Sequence, residues 1–142
     1  MALILDTSAI VAWERHPETG AGGQELGPTR ERLILPSIVW AEALIGVRMA
    51  GSGARAAQRR ARLEAIRRVL GVEPFSADMA EHYADIYAEL SASGILIPQN
   101  DMTVAATARC LDCGVLVGPS GEEHFRRVDR LAVVVWAPPG TS

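Results

Sequence analysis

Short runs rich in apolar residues alternate along the whole chain with longer stretches in which apolar residues recur at helical spacing. Five such runs have the length of buried strands, at residues 3–5, 33–35, 72–75, 115–117 and 131–136. Strands that alternate with helices are typical of βαβ units, in which the strands are parallel. The pattern therefore predicts an α/β fold, with a five-stranded parallel sheet and helices on both of its faces.

Signals for helix ends divide the remaining sequence. Thr7 and Ser8 are placed to cap a first helix that runs through Trp13. Four further helices are predicted, each followed by a glycine, a common residue just past a helix end; they span residues 36–50, 54–70, 77–93 and 98–113. Residues 16–32 have no period and predict a loop. We expect one domain over residues 1–136 and a short tail over residues 137–142.

The distribution of charge is more informative than its sum. The chain has 142 residues, a formal net charge of −3, and fourteen basic residues that are all arginine. Six of these arginines lie in the predicted helix 54–70 beside one acid, Glu64, which gives that helix a formal charge of +5. This run is typical of a solvated helix face, and equally of a surface that contacts an RNA backbone or an acidic partner segment.

Several classes of protein are excluded or disfavoured. The absence of lysine excludes a P-loop and any Schiff-base chemistry, and the chain has no G-x-G-x-x-G and no G-x-S-x-G motif. No apolar run has the length of a membrane span, and the first run is too short for a signal peptide, so we expect a cytoplasmic protein without a membrane partner. Carboxylates remain as the candidate chemistry.

Two carboxylates stand out near the start of the chain. Asp6 follows the first predicted strand, where it fits either a helix cap or a metal position at the mouth of a sheet. Glu42 shares a helical stripe with Ile38, Ile45 and Met49, which predicts either a buried carboxylate with a partner or an acid at the edge of the core.

Two further acidic positions lie in the second half of the chain. Asp101 follows Asn100, the expected N-cap of a predicted helix, and an acid in the first turn also favours the helix dipole without any other role. Glu122 follows the fourth predicted strand, where an exposed acidic turn is an equal alternative. Acids that converge at one sheet edge would suit Mg²⁺, which prefers oxygen ligands and assists phosphodiester hydrolysis through an activated water.

Taken together, these residues resemble a known family. Leu5-Asp6-Thr7-Ser8-Ala9, then Glu42, then Asn100-Asp101-Met102-Thr103-Val104, and finally His124-Phe125-Arg126-Arg127-Val128 are similar to the PIN domain, and more narrowly to VapC toxins of bacterial type II toxin–antitoxin modules. The resemblance covers nearly the whole chain. It implies an Mg²⁺-dependent endoribonuclease, with Mn²⁺ as an alternative ion, that cleaves structured RNA such as tRNA.

The resemblance also assigns residues and partners. It places catalytic and metal-binding roles on Asp6, Glu42 and Asp101, and Ser8 would orient a ligand or a water. It implies a homodimer and a cognate VapB-type antitoxin, whose complex with the toxin binds operator DNA through the antitoxin. The usual fourth acid falls on Gly121, so that either Glu122 replaces it as a catalytic and metal-binding residue or one metal is held rather than two.

Alternatives to the ribonuclease remain open. The glycine at position 121 also fits a PIN-like module that binds RNA or a partner without cutting it. A metal-dependent phosphatase or DNA nuclease would use a similar set of ligands. Cys110 and Cys113 lie at a predicted helix end that disfavours thiolates, which indicates two reduced, partly buried thiols. His124 beside Phe125 is typical of a packed or capping residue, and we do not count it as catalytic.

Overall fold

A parallel sheet forms the centre of the molecule. The computed structural model describes residues 2–16, 26 and 31–137. Its four strands are β1 (Leu3–Leu5), β2 (Leu33–Ile34), β3 (Gly114–Val117) and β4 (Val133–Val135). They lie in the order β2-β1-β3-β4, and every pair is parallel. The α/β class, the parallel sheet and the flanking helices are therefore confirmed.

The expected fifth strand, at residues 72–75, is wrong. Only Glu73 pairs there, in a single parallel bridge to Pro36 beside β2. Its N–H donates to the Leu35 carbonyl at 2.8 Å, and its carbonyl accepts from the Ser37 N–H at 2.9 Å. The ladder does not continue past Glu73, because its partner chain enters α2 at Ser37 and is no longer extended.

In the described part of the chain, five α-helices cover the sheet. They are α1 (Thr7–Glu14), α2 (Ser37–Met49), α3 (Ala54–Leu70), α4 (Ala77–Ala92) and α5 (Gln99–Cys110). The predicted helices agree with these within one or two residues, except that α5 ends at Cys110 rather than Cys113. Asp112 adopts a positive φ of 54° just past that end, which stops the helix and turns the chain into β3.

The core lies between the sheet and the helices. All residues of β1 and β3 are buried, as expected of central strands in a parallel sheet. Helix α5 packs against both of these strands, and Ala105, Ala106 and Ala108 are fully buried on it. These small side chains allow a close approach of helix and sheet, which fixes the start of α5 near the carboxyl ends of β1 and β3.

Two expectations concern segments that the structure describes only in part. Of the loop predicted over residues 16–32, only positions 16, 26, 31 and 32 are among the described residues. The tail predicted over residues 137–142 lies outside them beyond position 137. Within the described part of the chain, no helix is long and apolar enough to span a membrane.

Candidate active site

Asp6 lies where β1 ends and α1 begins. It is the N-cap of α1, and its Oδ2 accepts hydrogen bonds from the Ser8 N–H at 3.0 Å and the Ser8 hydroxyl at 2.5 Å. The cap that sequence reasoning assigned to Thr7 or Ser8 is therefore wrong, because both residues lie inside the helix. Only 7% of the Asp6 surface is exposed, so this carboxylate combines the cap with a buried position at the sheet edge.

The electrostatic surroundings of Asp6 bring three predicted acids together. Burial is the largest influence and raises the pKa of Asp6 above its ordinary value. The two hydrogen bonds from Ser8 act in the opposite direction, and the charges of Asp101 and Glu42 raise the pKa further. The charges of Asp101 and Glu42 therefore both oppose the ionisation of Asp6, and a cation would relieve that repulsion.

Ser8 joins the ends of the two central strands. Its Oγ accepts the Gly118 N–H at 2.9 Å, just past β3, while it donates to Asp6 just past β1. A Cβ at Gly118 would overlap the Ser8 carbonyl, so only glycine permits this approach. After β1 the chain forms β2 on one side of β1, and it later returns to form β3 on the other side of β1. Sites in open parallel sheets form at such a switch point.

Glu42 reaches this edge from α2. Its Oε1 accepts the Thr7 hydroxyl at 2.7 Å, and its side chain is half-buried. The expectation that Ile45 and Met49 belong to the core is wrong, since they are 59% and 82% exposed. The buried face of α2 consists of Val39, Ala43 and Val47. Glu42 therefore lies at the edge of the core, which is the second of the two alternatives that the sequence left open for it.

Asp101 projects from the first turn of α5, which begins at Gln99 after an N-cap at Pro98. Asn100, expected as the cap, is inside the helix. The Oδ2 of Asp101 lies 2.7 Å from the Nδ1 of His124, and both side chains are partly exposed. Sequence reasoning missed this role of His124, because the two residues are 23 positions apart and no local pattern links them.

The fourth predicted acid, Glu122, follows β3, and in the described part of the chain its side chain makes no hydrogen bond or ion pair with Asp6, Glu42 or Asp101. One of its carboxylate oxygens, Oε2, is buried without a hydrogen-bond partner among the described residues. At the preceding position, a Cβ on Gly121 would overlap the Ser8 hydroxyl. An acid at position 121 would therefore displace Ser8, which accounts for the glycine there.

An open cleft of about 330 Å³ is lined by Thr7 and Ser8, whose hydroxyls contact Glu42 and Asp6. None of the carboxylates is among its lining residues, which also include Arg15 and His16 near the end of α1 and Pro119 and Ser120 after β3. The cleft gives an extended ligand access to the first turn of α1. A phosphate group in it would approach the hydroxyls of Thr7 and Ser8 beside the acidic groups.

The residues that could hold a metal are present but do not form a closed cage. Within the described part of the chain, no three His, Cys, Asp or Glu side chains are grouped closely enough to bind one ion on their own. Mg²⁺ is usually bound by one or two carboxylates and keeps several waters, so an open acidic edge suits it better than a cage. The all-oxygen donor set of Asp6, Glu42 and Asp101 fits such an ion.

The two cysteines are not part of this site. Cys110 and Cys113 are both free and half-buried, as expected from the sequence. Burial raises the pKa of the Cys113 thiol, with the charge of Asp112 as a further cause, and this disfavours a reactive thiolate. The chemistry of the edge therefore rests on carboxylates, hydroxyls and His124.

Comparison with known proteins gives a consistent result. The sequence profile of the PIN domain matches residues 3–131. Ribonuclease VapC2 of Rickettsia felis is 27% identical over 137 residues, which cover 96% of this chain and 98% of that protein. VapC ribonuclease Y4jK of Sinorhizobium fredii is 32% identical over 140 residues, which cover 96% and 99% of the two chains.

Solved structures agree with the sequence comparisons. The crystal structure of VapBC2 from Rickettsia felis bound to a DNA fragment from their promoter contains a similar chain, with a TM-score of 0.78. The two chains are 25% identical, and the match covers 96% of this chain and 100% of that one. The similarity is therefore not confined to the residues around Asp6 but extends over nearly the whole fold.

Proposed function

The chain belongs to the PIN-domain family, and on that premise we propose that it is an Mg²⁺-dependent endoribonuclease that acts as the toxin of a VapBC-type module. Its substrate would be structured RNA such as tRNA. The observation that carries the proposal is the placement of Glu42 and Asp101 around the buried Asp6 at the carboxyl edge of the sheet, near enough for both charges to raise the pKa of Asp6. Relatives named as VapC ribonucleases support the same activity.

Asp6, Glu42 and Asp101 would hold Mg²⁺ or Mn²⁺, and Glu122 is a further candidate because its buried Oε2 lacks a hydrogen-bond partner among the described residues. A divalent ion bound there would activate the attacking water and neutralise the charge on the leaving oxygen. The chain contributes negative charge held at one edge. Without the ion, that charge would repel a phosphodiester, so substrate binding and metal binding are coupled.

The neighbouring polar residues fix the three carboxylates. A short side-chain contact joins Ser8 to Asp6, Thr7 to Glu42 and His124 to Asp101. A carboxylate with one fixed oxygen has fewer orientations to lose when it binds an ion. Thr7, Ser8 and His124 are therefore positioning residues rather than groups that react.

The proposal extends to partners. A similar chain is found in a VapBC complex bound to promoter DNA, which supports a VapB-type antitoxin that binds this chain. The complex of the two proteins would bind operator DNA through the antitoxin, and the toxin would form a homodimer. These assignments rest on the family relationship, because the structure describes a single chain.

The test is cleavage of total tRNA and rRNA by the purified chain, freed of any antitoxin, with Mg²⁺, with Mn²⁺ and with EDTA. We expect discrete cleavage that needs the ion and disappears in Asp101→Asn. Asp85→Asn is the matched control, since Asp85 is an exposed aspartate on α4. Cleavage that survives in EDTA, or that persists in Asp101→Asn, would contradict the proposal.

A second candidate is a PIN-like module that binds RNA or a partner without cutting it. The glycine at position 121, which the Ser8 hydroxyl requires, favours this candidate because it leaves the usual fourth acid missing. The same assay separates the two functions. RNA binding without cleavage in any ion, and with no effect of Asp101→Asn on affinity, would favour the non-cleaving module.

A further inference from the structure

A second cleft, of about 220 Å³, lies on the side of α3 that faces the end of α1. Three arginines line it, Arg55, Arg59 and Arg62, together with Gln58 and Glu14. The arginines are four and three positions apart, so they form one stripe along α3. The remaining arginines of the helix lie on other faces, which makes this cleft the basic side of α3.

Among the residues that the structure describes, two of the three guanidinium groups have no carboxylate partner. Arg59 binds Glu14 through two contacts, at 2.7 and 3.3 Å, and is neutralised by it. Arg62 lies over the Trp13 ring, 4.3 Å from the ring centre, and Arg55 is exposed. Stacking on an aromatic ring holds a guanidinium plane and leaves its N–H edge free to donate. Arg55 and Arg62 are thus two cations available to anionic groups.

Helix α1 connects this cleft to the carboxylates. Thr7 and Ser8 line the first cleft at one end of the helix, and Arg15 lines the same cleft at the other end. Glu14, the residue before Arg15, lines the second cleft. The eight residues of α1 span about 12 Å, at about 1.5 Å for each residue. A flexible polyanion could therefore reach both clefts at once.

We propose that Arg55 and Arg62 bind backbone phosphates of an RNA strand whose neighbouring phosphate lies at the carboxylate edge. This inference rests on the proposed function, since it places the substrate of that site. The carboxylates repel a polyanion, so attraction must come from cations some distance from them. An acidic peptide would gain from the arginines but has no reason to extend towards Asp6, whereas an RNA strand presents regularly spaced phosphates along both clefts.

The test is the salt dependence of RNA binding. A labelled oligouridylate is titrated in EDTA with the Asp101→Asn protein. The same titration is repeated with two variants of that protein, one that also carries Arg55→Gln and one that also carries both Arg55→Gln and Arg62→Gln. Each phosphate contact to a single strand contributes about 0.7 to the slope of log K against log salt. We therefore expect a slope shallower by about 1.4 for the double change and by about 0.7 for Arg55→Gln, which leaves Trp13 and its stacked arginine intact.

Arg68→Gln is the matched control, because Arg68 is an exposed arginine of the same helix outside the cleft. It removes the same charge and should leave the slope unchanged. If all variants weaken binding equally, the arginines act only through net charge and the inference is overturned. It is also overturned if the protein does not bind the oligouridylate, or if the double change affects only the binding of a labelled polyglutamate.

The cleavage assay keeps this inference separate from the proposed function. Metal-dependent cleavage of tRNA together with unaltered slopes would leave the ribonuclease intact and overturn the role of Arg55 and Arg62. If the salt-dependence slopes of RNA binding change but RNA is cleaved with neither Mg²⁺ nor Mn²⁺, the phosphate-binding surface is supported and the nuclease is contradicted. The two proposals therefore fail by different measurements.

Discussion

Asp6 is held in a position that favours its neutral form, whereas the proposed function requires its charged form. Burial and the nearby Asp101 and Glu42 raise its pKa, and the hydrogen bonds from Ser8 compensate only in part. An acid with a raised native pKa binds its proton more tightly in the folded state than in the unfolded state. Ionisation of Asp6 therefore opposes folding, in the absence of a bound cation.

We predict that Asp6→Asn makes the metal-free protein more stable at neutral pH while it abolishes cleavage. Asparagine keeps an N-cap oxygen for the Ser8 N–H but removes the buried charge. The stability that belongs to neutral Asp6 is fully present below the ordinary pKa of 3.8 and is lost as pH rises through the raised pKa. Thermal midpoints in EDTA should therefore differ at pH 7 and converge in acid. A lower midpoint for Asp6→Asn at pH 7 would contradict this account.

His124 gives a second prediction at the scale of one residue. Since it holds Asp101 at 2.7 Å, His124→Ala should lower the affinity for Mn²⁺ by about 10–100-fold, the usual effect of removing a group that orients a ligand. Mn²⁺ titration followed by electron paramagnetic resonance measures this directly.

The controls for His124 use a histidine outside the site and a conservative change. His82→Ala, on α4, should leave Mn²⁺ affinity unchanged, and His124→Asn should restore part of it because the amide can donate to Asp101. Equal affinities for His124→Ala and the unaltered protein would show that the contact does not position the carboxylate.

Sequence reasoning predicts single residues best where the fold dictates their place. Asp6 follows a strand that the apolar pattern identifies, so its position at the sheet edge is confirmed. The contact of Thr7 with Glu42 and that of His124 with Asp101 join residues 35 and 23 positions apart. Periodicity carries no information on such pairs, because they depend on how whole elements pack.

At the scale of elements, Arg59 ties three helices together. It projects from α3, lies across Gly46 of α2 and binds Glu14 at the end of α1. A Cβ at Gly46 would lie 2.8 Å from one of the Arg59 guanidinium nitrogens, so this arrangement needs glycine at position 46. The glycine costs helix stability, which the alignment of the three helices offsets.

We predict that Gly46→Ala displaces the end of Arg59 and uncouples it from Glu14. Alanine in a helix is about 1 kcal/mol more favourable than glycine, so overall stability should change little or rise slightly. The coupling itself should disappear. In a double-mutant cycle, Glu14→Gln should lower the free energy of unfolding less in the Gly46→Ala background than in the original one, as measured with urea. An undiminished cost of Glu14→Gln would show that Arg59 keeps its partner.

Two elements differ from their predictions for reasons that are local. Residues 72–75 have enough apolar and β-branched character to predict a strand, but the chain beside them enters α2 at Ser37, and a single bridge at Glu73 results. On α2, the stripe through Ile45 and Met49 has helical spacing, yet the helix buries the adjacent face of Val39, Ala43 and Val47. Spacing identifies a helix without deciding which of two apolar faces packs inward.

The whole molecule assembles its site from segments that are far apart in sequence. Parallel strands place all their carboxyl ends at one edge, and the order β2-β1-β3-β4 makes β1 and β3 neighbours there. The resemblance to the PIN domain, drawn from the sequence around Asp6, Asp101 and His124, is confirmed by a match over residues 3–131. That resemblance supplied what periodicity could not, namely which acids belong together.

Our last prediction concerns the stability of the whole fold in the presence of the ion. Burial and the charges of Asp101 and Glu42 disfavour ionised Asp6 in the native state, whereas a cation that binds only the native state stabilises it. Mn²⁺ or Mg²⁺ at about 100 times its Kd should therefore stabilise the protein by about 2.7 kcal/mol, which raises the thermal midpoint by several degrees. Asp101→Asn should lose most of this increase and Asp85→Asn should retain it, as followed by circular dichroism during heating. A rise in midpoint that is equal in the two variants would mean that the ion binds elsewhere, since a site at the sheet edge cannot be indifferent to the loss of one of its charges.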